Sequence, residues 1–130
     1  MRYNILPHTE IKPYVDQLKE IESSIKYPIE GGQDHFIIDH GPKYHPFFSE
    51  MGKNYFLLVF DKETVVGSIA GVFKKIYTSE AQESKDVGLY LADLKLRKQY
   101  RKLGIPAKMA WHAFVRWPFV RDYQGWDFVF

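Results

Sequence analysis

Two β-rich runs, Tyr55–Phe60 and Val65–Phe73, flank the polar quartet Asp61-Lys62-Glu63-Thr64. A short polar connection between two such runs predicts an antiparallel hairpin. Gly67 and Gly71 interrupt the second run. Glycines inside a strand mark a bulge or a place where another group approaches the backbone.

A chain of 130 residues is one domain's worth, so 1–130 is read as a single domain. Cysteine is absent. This excludes disulfides, thiolate nucleophiles, iron–sulfur clusters and cysteine-bound zinc, and it fits a reducing compartment. The opening MRYNILPHTEIKPYVDQ has no apolar signal-like region, and no apolar run is long enough to cross a membrane as a helix. The cytoplasm is the expected location, with no membrane partner.

Around the hairpin the pattern is mixed. Arg2–Leu6 reads as a strand closed by Pro7. Ile11, Val15, Leu18, Ile21 and Ile25 recur at helical spacing and predict a helix over Thr9–Ile25, with Pro13 in its first turn. Tyr27–Lys53, broken by Pro and Gly, reads as loops around short pieces of helix or strand. Thr78–Asp86 reads as an exposed polar loop. Val87–Leu96 alternates as a strand, but the phase slips between Leu91 and Leu94, as a β-bulge near Ala92-Asp93 would produce. Gly104–Trp117 predicts a helix stopped by Pro118, with Met109, Trp111, Phe114, Val115 and Trp117 towards the core and His112 packed or partly exposed. Trp126–Phe130 would be a last strand. The fold class is therefore α/β or α+β: a mixed, largely antiparallel sheet flanked by helices.

Charge is concentrated late in the chain. The formal net charge is only +2, yet Leu94–Arg121 holds Lys95, Arg97, Lys98, Arg101, Lys102, Lys108, Arg116 and Arg121 with no Asp or Glu. Either this is a solvated basic face or something anionic binds there. The local order favours a phosphate. A strand ends near Leu96, a basic turn follows, and a helix opens at Gly104. A helix start offers unpaired amides and a positive dipole end, and glycine lets a ligand approach the backbone.

The segment Arg101-Lys102-Leu103-Gly104-Ile105-Pro106 resembles the acetyl-CoA turn of the GNAT family of N-acetyltransferases, Arg/Gln-x-x-Gly-x-Gly/Ala. The strand before it, Leu89–Leu96, is similar to that family's fourth strand, and the hairpin around Val66–Gly71 to its second and third. The resemblance implies an acyl-CoA N-acyltransferase-like fold and transfer of an acetyl group from acetyl-CoA, or another acyl-CoA, to a primary amine of a small molecule or peptide. By position it gives Leu94, Lys95 and Leu96 to the strand that meets the pantetheine arm. It gives the amides of Lys102, Leu103, Gly104, Ile105 and Ala107 to the pyrophosphate, with Arg101 opening the turn. Lys95, Arg97 and Lys98 would lie near enough to reach the 3′-phosphate. Asp93, at the bulge, would be the carboxylate base.

Two departures stand against the family pattern. Pro106 replaces a small residue and removes one donor, worth about 1 kcal/mol. The family's last helix and β-hairpin, and its frequent tyrosine acid, would fall beyond Phe130. The expectation is a domain lacking its C-terminal portion, or a sheet completed by a second copy.

Glu30, Asp34, His35, Asp39 and His40 lie where this family builds its acceptor site. His35, Asp39, His40 and His45 carry ligand-type groups, but Gly41, Pro42 and Pro46 break the helix that would align them. No metal is assigned. Two other function classes remain: an acyltransferase-like interaction module without activity, and a basic, aromatic nucleic-acid-binding module, the latter with no recognisable RNA-binding or zinc-finger pattern.

Overall fold

A computed structural model describes residues 1–29, 32, 34–77, 85–116 and 128–129. The sheet is built outward from the hairpin. Strands β4 (Lys53–Asp61) and β5 (Thr64–Tyr77) pair antiparallel, and Asp61 faces Thr64. The turn is thus two residues, Lys62 and Glu63, with Lys62 at φ 55°. β1 (Arg2–Pro7) adds to the outer side of β4, and β6 (Lys85–Leu96) to the outer side of β5. β7 (Phe128–Val129) lies parallel to β6, and helix α3 (Ile105–Arg116) lies between them in the chain. Parallel neighbours need such a crossover. The order is β1-β4-β5-β6-β7. Trp117 and Trp126 lie outside the described residues.

Alternation along β4 builds two cores. Tyr55, Leu57 and Val59 enter one with Tyr3, Leu96, Ile105, Met109 and Ala113, beneath α3. Phe56, Leu58 and Phe60 enter the other with Leu18, Ile21, Tyr44 and Phe48, beneath helices α1 (Val15–Ser23) and α2 (Pro46–Met51). Each fully buried side chain of this size contributes about 1.5–3 kcal/mol by leaving water. A sheet covered on both faces explains why β4 is apolar from Tyr55 to Phe60.

Two expectations are corrected. The first helix is shorter than Thr9–Ile25: two 3-10 turns, His8–Glu10 and Lys12–Tyr14, precede α1. Pro13 supplies no amide for a regular α-turn there. On α3 the inward residues are Ile105, Met109 and Ala113, four apart, while Trp111, Phe114 and Val115 face outward, Trp111 at 67% exposure. The helix has apolar residues on both sides, so composition could not say which side the sheet takes. His112 stacks on Tyr3, ring centroids 4.1 Å apart. The 27–53 region is indeed short pieces: β2 (Tyr27–Pro28) paired with β3 (His35–Phe36), then α2.

Candidate active site

The site lies where β6 leaves β7. Among the described residues β7 pairs only with Gly88 and Leu89, so 91–96 have no neighbour on that side. On the other side the β5 register skips: Ser68 faces Lys95, Ala70 faces Ala92, and Ile69 is left opposite Asp93 and Leu94. This is the β-bulge expected from the phase slip. Asp93 adopts φ 59°, a left-handed backbone that costs a non-glycine residue about 1–2 kcal/mol. The bulge turns the Asp93 side chain into the α1/α2 layer, and Leu94 outward into solvent.

Beyond β6 the chain makes one 3-10 turn, Lys98–Tyr100, and reaches α3 through Gly104 at φ 66°. A Cβ built on Gly104 meets nothing within 4 Å, so the position is open to an approaching group. No hydrogen bond among the described residues engages the amides of Lys102, Gly104, Ile105 or Ala107, and that of Leu103 reaches Tyr100 O only at 3.5 Å. Arg101 Nε donates to Leu96 O at 3.1 Å, tying the turn to the strand end.

Lys95 requires a correction. Its side chain is not available to a phosphate, because strand alternation points it inward, to 1% exposure. There Nζ lies 2.7 Å from Glu22 Oε1 and 2.9 Å from Asp93 Oδ1. Arg97 is also committed: Nε donates to Val65 O at 2.8 Å and Nη1 to Glu20 Oε1 at 2.7 Å.

Around Lys95 the fold gathers residues far apart in sequence. Tyr44 donates its hydroxyl to Asp93 Oδ2 at 2.6 Å, and Lys95 Nζ lies 5.4 Å from the centroid of the Tyr44 ring. Glu22 Oε2 accepts from the His40 backbone amide at 2.9 Å, and Glu22 Oε1 pairs with His40 Nδ1. Burial works to raise the Glu22 carboxyl, but hydrogen bonds from Lys95 and from the His40 amide and ring outweigh it and hold the group below its ordinary value. Burial, and then the Asp93 charge, push the Tyr44 phenol far above its ordinary value, with a Ser68 hydrogen bond working the other way. Glu22, His40 and Asp93 offer donor atoms within 4.8 Å of one another. The two carboxylates of this group already hold a cation, the chain's own Lys95 ammonium. His35, on the exposed strand β3, and His45, hydrogen-bonded to Ser49, do not join His40.

A cavity of about 430 Å³ opens beside the cluster, lined by Ile38, Asp39, His40, Phe47, Phe48, Tyr90, Ala92 and Asp93. A larger one, about 670 Å³, lies between His8–Asp16 and Pro42–His45, and no β6 residue lines it. The smaller cavity is the one that adjoins the bulge.

Sequence reasoning named Asp93 and His40 but missed Glu22, Tyr44 and the inward turn of Lys95. A signal existed for Glu22: it follows Leu18 by four residues, on the apolar stripe of α1. A carboxylate there must find a partner when the helix packs.

No protein-family model matches the chain, and no curated protein matches it. Solved structures do. An aminoglycoside acetyltransferase from an uncultured soil metagenomic sample, solved with sisomicin, superposes with a TM-score of 0.66 at 16% identity, over 99% of this chain and 74% of that one. A transcriptional regulator from Bacillus halodurans C-125 gives 0.63 at 14%, over 98% and 79%. A putative acetyl transferase from Pyrococcus furiosus gives 0.59 at 15%, over 99% and 80%. No helix among the described residues is long and apolar enough to cross a membrane. The largely antiparallel sheet flanked by helices is the acyl-CoA N-acyltransferase fold, which these GNAT-type acetyltransferase structures share.

Proposed function

We propose that the protein transfers an acyl group, acetyl in the simplest case, from acyl-CoA to a primary amine on a small molecule or peptide. One observation carries this reading: among the described residues, the edge of β6 at 91–96 has no strand beside it and runs into a turn whose amides at Lys102, Gly104, Ile105 and Ala107 have no hydrogen-bond partner. An extended pantetheine arm can add to a strand edge through backbone groups, here those of Leu94 and Leu96. A diphosphate suits bare amides at the start of α3, where the helix dipole also favours negative charge. Leu103 adds a loosely held amide, and Arg101 adds charge from the exposed turn.

The acceptor would occupy the 430 Å³ cavity. Its walls join apolar rings, Phe47, Phe48 and Tyr90, to the carboxylates of Asp39 and Asp93. That combination suits an ammonium on an apolar body. Asp93 would draw the ammonium towards the bulge. The amine, once neutral, would attack the thioester carbonyl, forming the C–N bond as the C–S bond breaks and CoA leaves.

A second reading, a CoA-binding module without turnover, is favoured by the commitment of both Asp93 oxygens to Lys95 and Tyr44. Calorimetry with CoA, followed by thiol release from acetyl-CoA with a panel of primary amines, separates the two. Binding with amine-dependent thiol release supports the transferase. Binding without it leaves the module, and no binding at millimolar CoA overturns both.

A further inference from the structure

The site as described still needs a group to take the ammonium's proton, and Asp93 is poorly placed to do so. Its Oδ1 is held by Lys95 at 2.9 Å and its Oδ2 by Tyr44 at 2.6 Å. His40 stands on the same cavity wall in a different condition. Its Nδ1 edge and its backbone amide both face the Glu22 carboxylate, which itself sits at 3% exposure. Glu22 is held in its ionised form, so it only accepts hydrogen bonds, and the neutral ring must carry its proton on Nδ1. Nε2, on the opposite edge, then presents a lone pair, and no hydrogen bond among the described residues engages it. Phe47 and Phe48 pack the ring at centroid distances of 5.4 and 5.0 Å, and Tyr44 at 5.2 Å, fixing its plane.

We propose that His40 is the general base of acyl transfer, with Glu22 as the residue that positions its ring. Nε2 takes one proton from the acceptor's ammonium; the neutral amine attacks the acetyl thioester; the new amide nitrogen gives its second proton to the departing CoA thiolate; the imidazolium returns its proton to solvent. An imidazole oriented through Nδ1 by a buried carboxylate is a general arrangement for proton abstraction. The charged or titratable groups around the ring and its cavity are Glu22 from α1, Asp93 and Tyr90 from β6, and Asp39 and Tyr44 from its own loop, with Lys95 behind Glu22 and Asp93. Lys95 neutralises one of the two buried carboxylates, so the pocket stays net anionic and suits both the arriving ammonium and the imidazolium.

This inference rests on the acyl-transfer reading, and its test separates the two. The full chain labelled with 15N-histidine reports the tautomer of each ring, and His40→Asn assigns the His40 signals. Asn also keeps a donor near the Nδ1 position, which preserves the contact with Glu22. The expected result is that the ring's neutral form carries its proton on Nδ1 and that its Nε2 signal moves when 2-phenylethylamine is added in the presence of CoA. A ring protonated on Nε2, or an Nε2 signal that the amine leaves in place, overturns the inference while calorimetric CoA binding still stands. In the acetyl-CoA assay with 2-phenylethylamine, His40→Asn should lower kcat by about 100-fold or more, with CoA affinity unchanged. Glu22→Gln, whose amide can donate as well as accept, should loosen the ring's preference for a proton on Nδ1 in the same 15N spectra and lower kcat. Unchanged turnover in His40→Asn also overturns the assignment. Loss of CoA binding in the unaltered protein would instead sink the acyl-transfer reading, whatever the tautomer.

Discussion

Lys95 Nζ lies 2.7 Å from Glu22 Oε1, although 73 residues separate the two in the chain. The contact joins α1 to the bulged end of β6, and with Asp93 it places one cation between two carboxylates. Lys95→Met removes that cation and leaves both carboxylates buried without a counter-charge. The expected cost is about 3–5 kcal/mol at neutral pH, read by urea denaturation. The loss should shrink as the medium is acidified and the carboxylates take up protons. A cost under about 1 kcal/mol would mean that water reaches the cluster.

The depressed Glu22 carboxyl makes stability depend on pH. A group held below its ordinary value of 4.5 in the fold contributes stability above that value and loses it as pH falls through the folded value. The urea midpoint should therefore be level above pH 4.5 as far as Glu22 is concerned, and decline below it. Glu22→Gln should flatten that decline. An acid limb identical in the variant assigns the linkage elsewhere.

Tyr44 predicts behaviour at the alkaline end. Its folded value is raised above the ordinary 10.0, so its contribution is complete below pH 10.0 and lost as pH climbs beyond it. Tyrosinate absorbance should show the Tyr44 phenol ionising only with unfolding. In Tyr44→Phe the amplitude of that coupled step should fall. Free titration of Tyr44 in the folded chain would contradict the burial described.

Gly104 has space around it but a backbone at φ 66°. Gly104→Val should cost about 1–2 kcal/mol in thermal unfolding, through backbone strain rather than a clash. It should also reduce CoA affinity at least tenfold in calorimetry, because the side chain shields the amides. Unchanged affinity would place the diphosphate elsewhere. Gly67 is the opposite case: a Cβ there would lie 2.6 Å from Leu96 Cδ1 and 3.0 Å from Lys95 O. Gly67→Ala should cost about 1–3 kcal/mol and displace the end of β6 at Lys95 and Leu96.

The outward turn of Trp111 gives a paired comparison on one helix. Trp111→Ala should change stability by less than about 0.5 kcal/mol, whereas Met109→Ala, in the core, should cost about 2–5 kcal/mol. Equal losses would mean that α3 packs with the other face inward.

What the sequence determined by itself was local. The hairpin at Asp61–Thr64, the phase slip that becomes the Asp93 bulge and the glycine-led start of α3 are all written in neighbouring residues, because turn chemistry and alternation act over a few positions. The tertiary structure alone decided which face of α3 the sheet covers, since apolar residues lie on both sides of that helix. It also decided that Glu22, His40, Tyr44, Asp93 and Lys95 meet. No spacing along the chain encodes that meeting; it follows from α1 and the 38–48 segment packing onto the sheet face to which the bulge turns Asp93 and alternation turns Lys95. Burial there makes each charge require the others, a condition that exists only once the layers have closed.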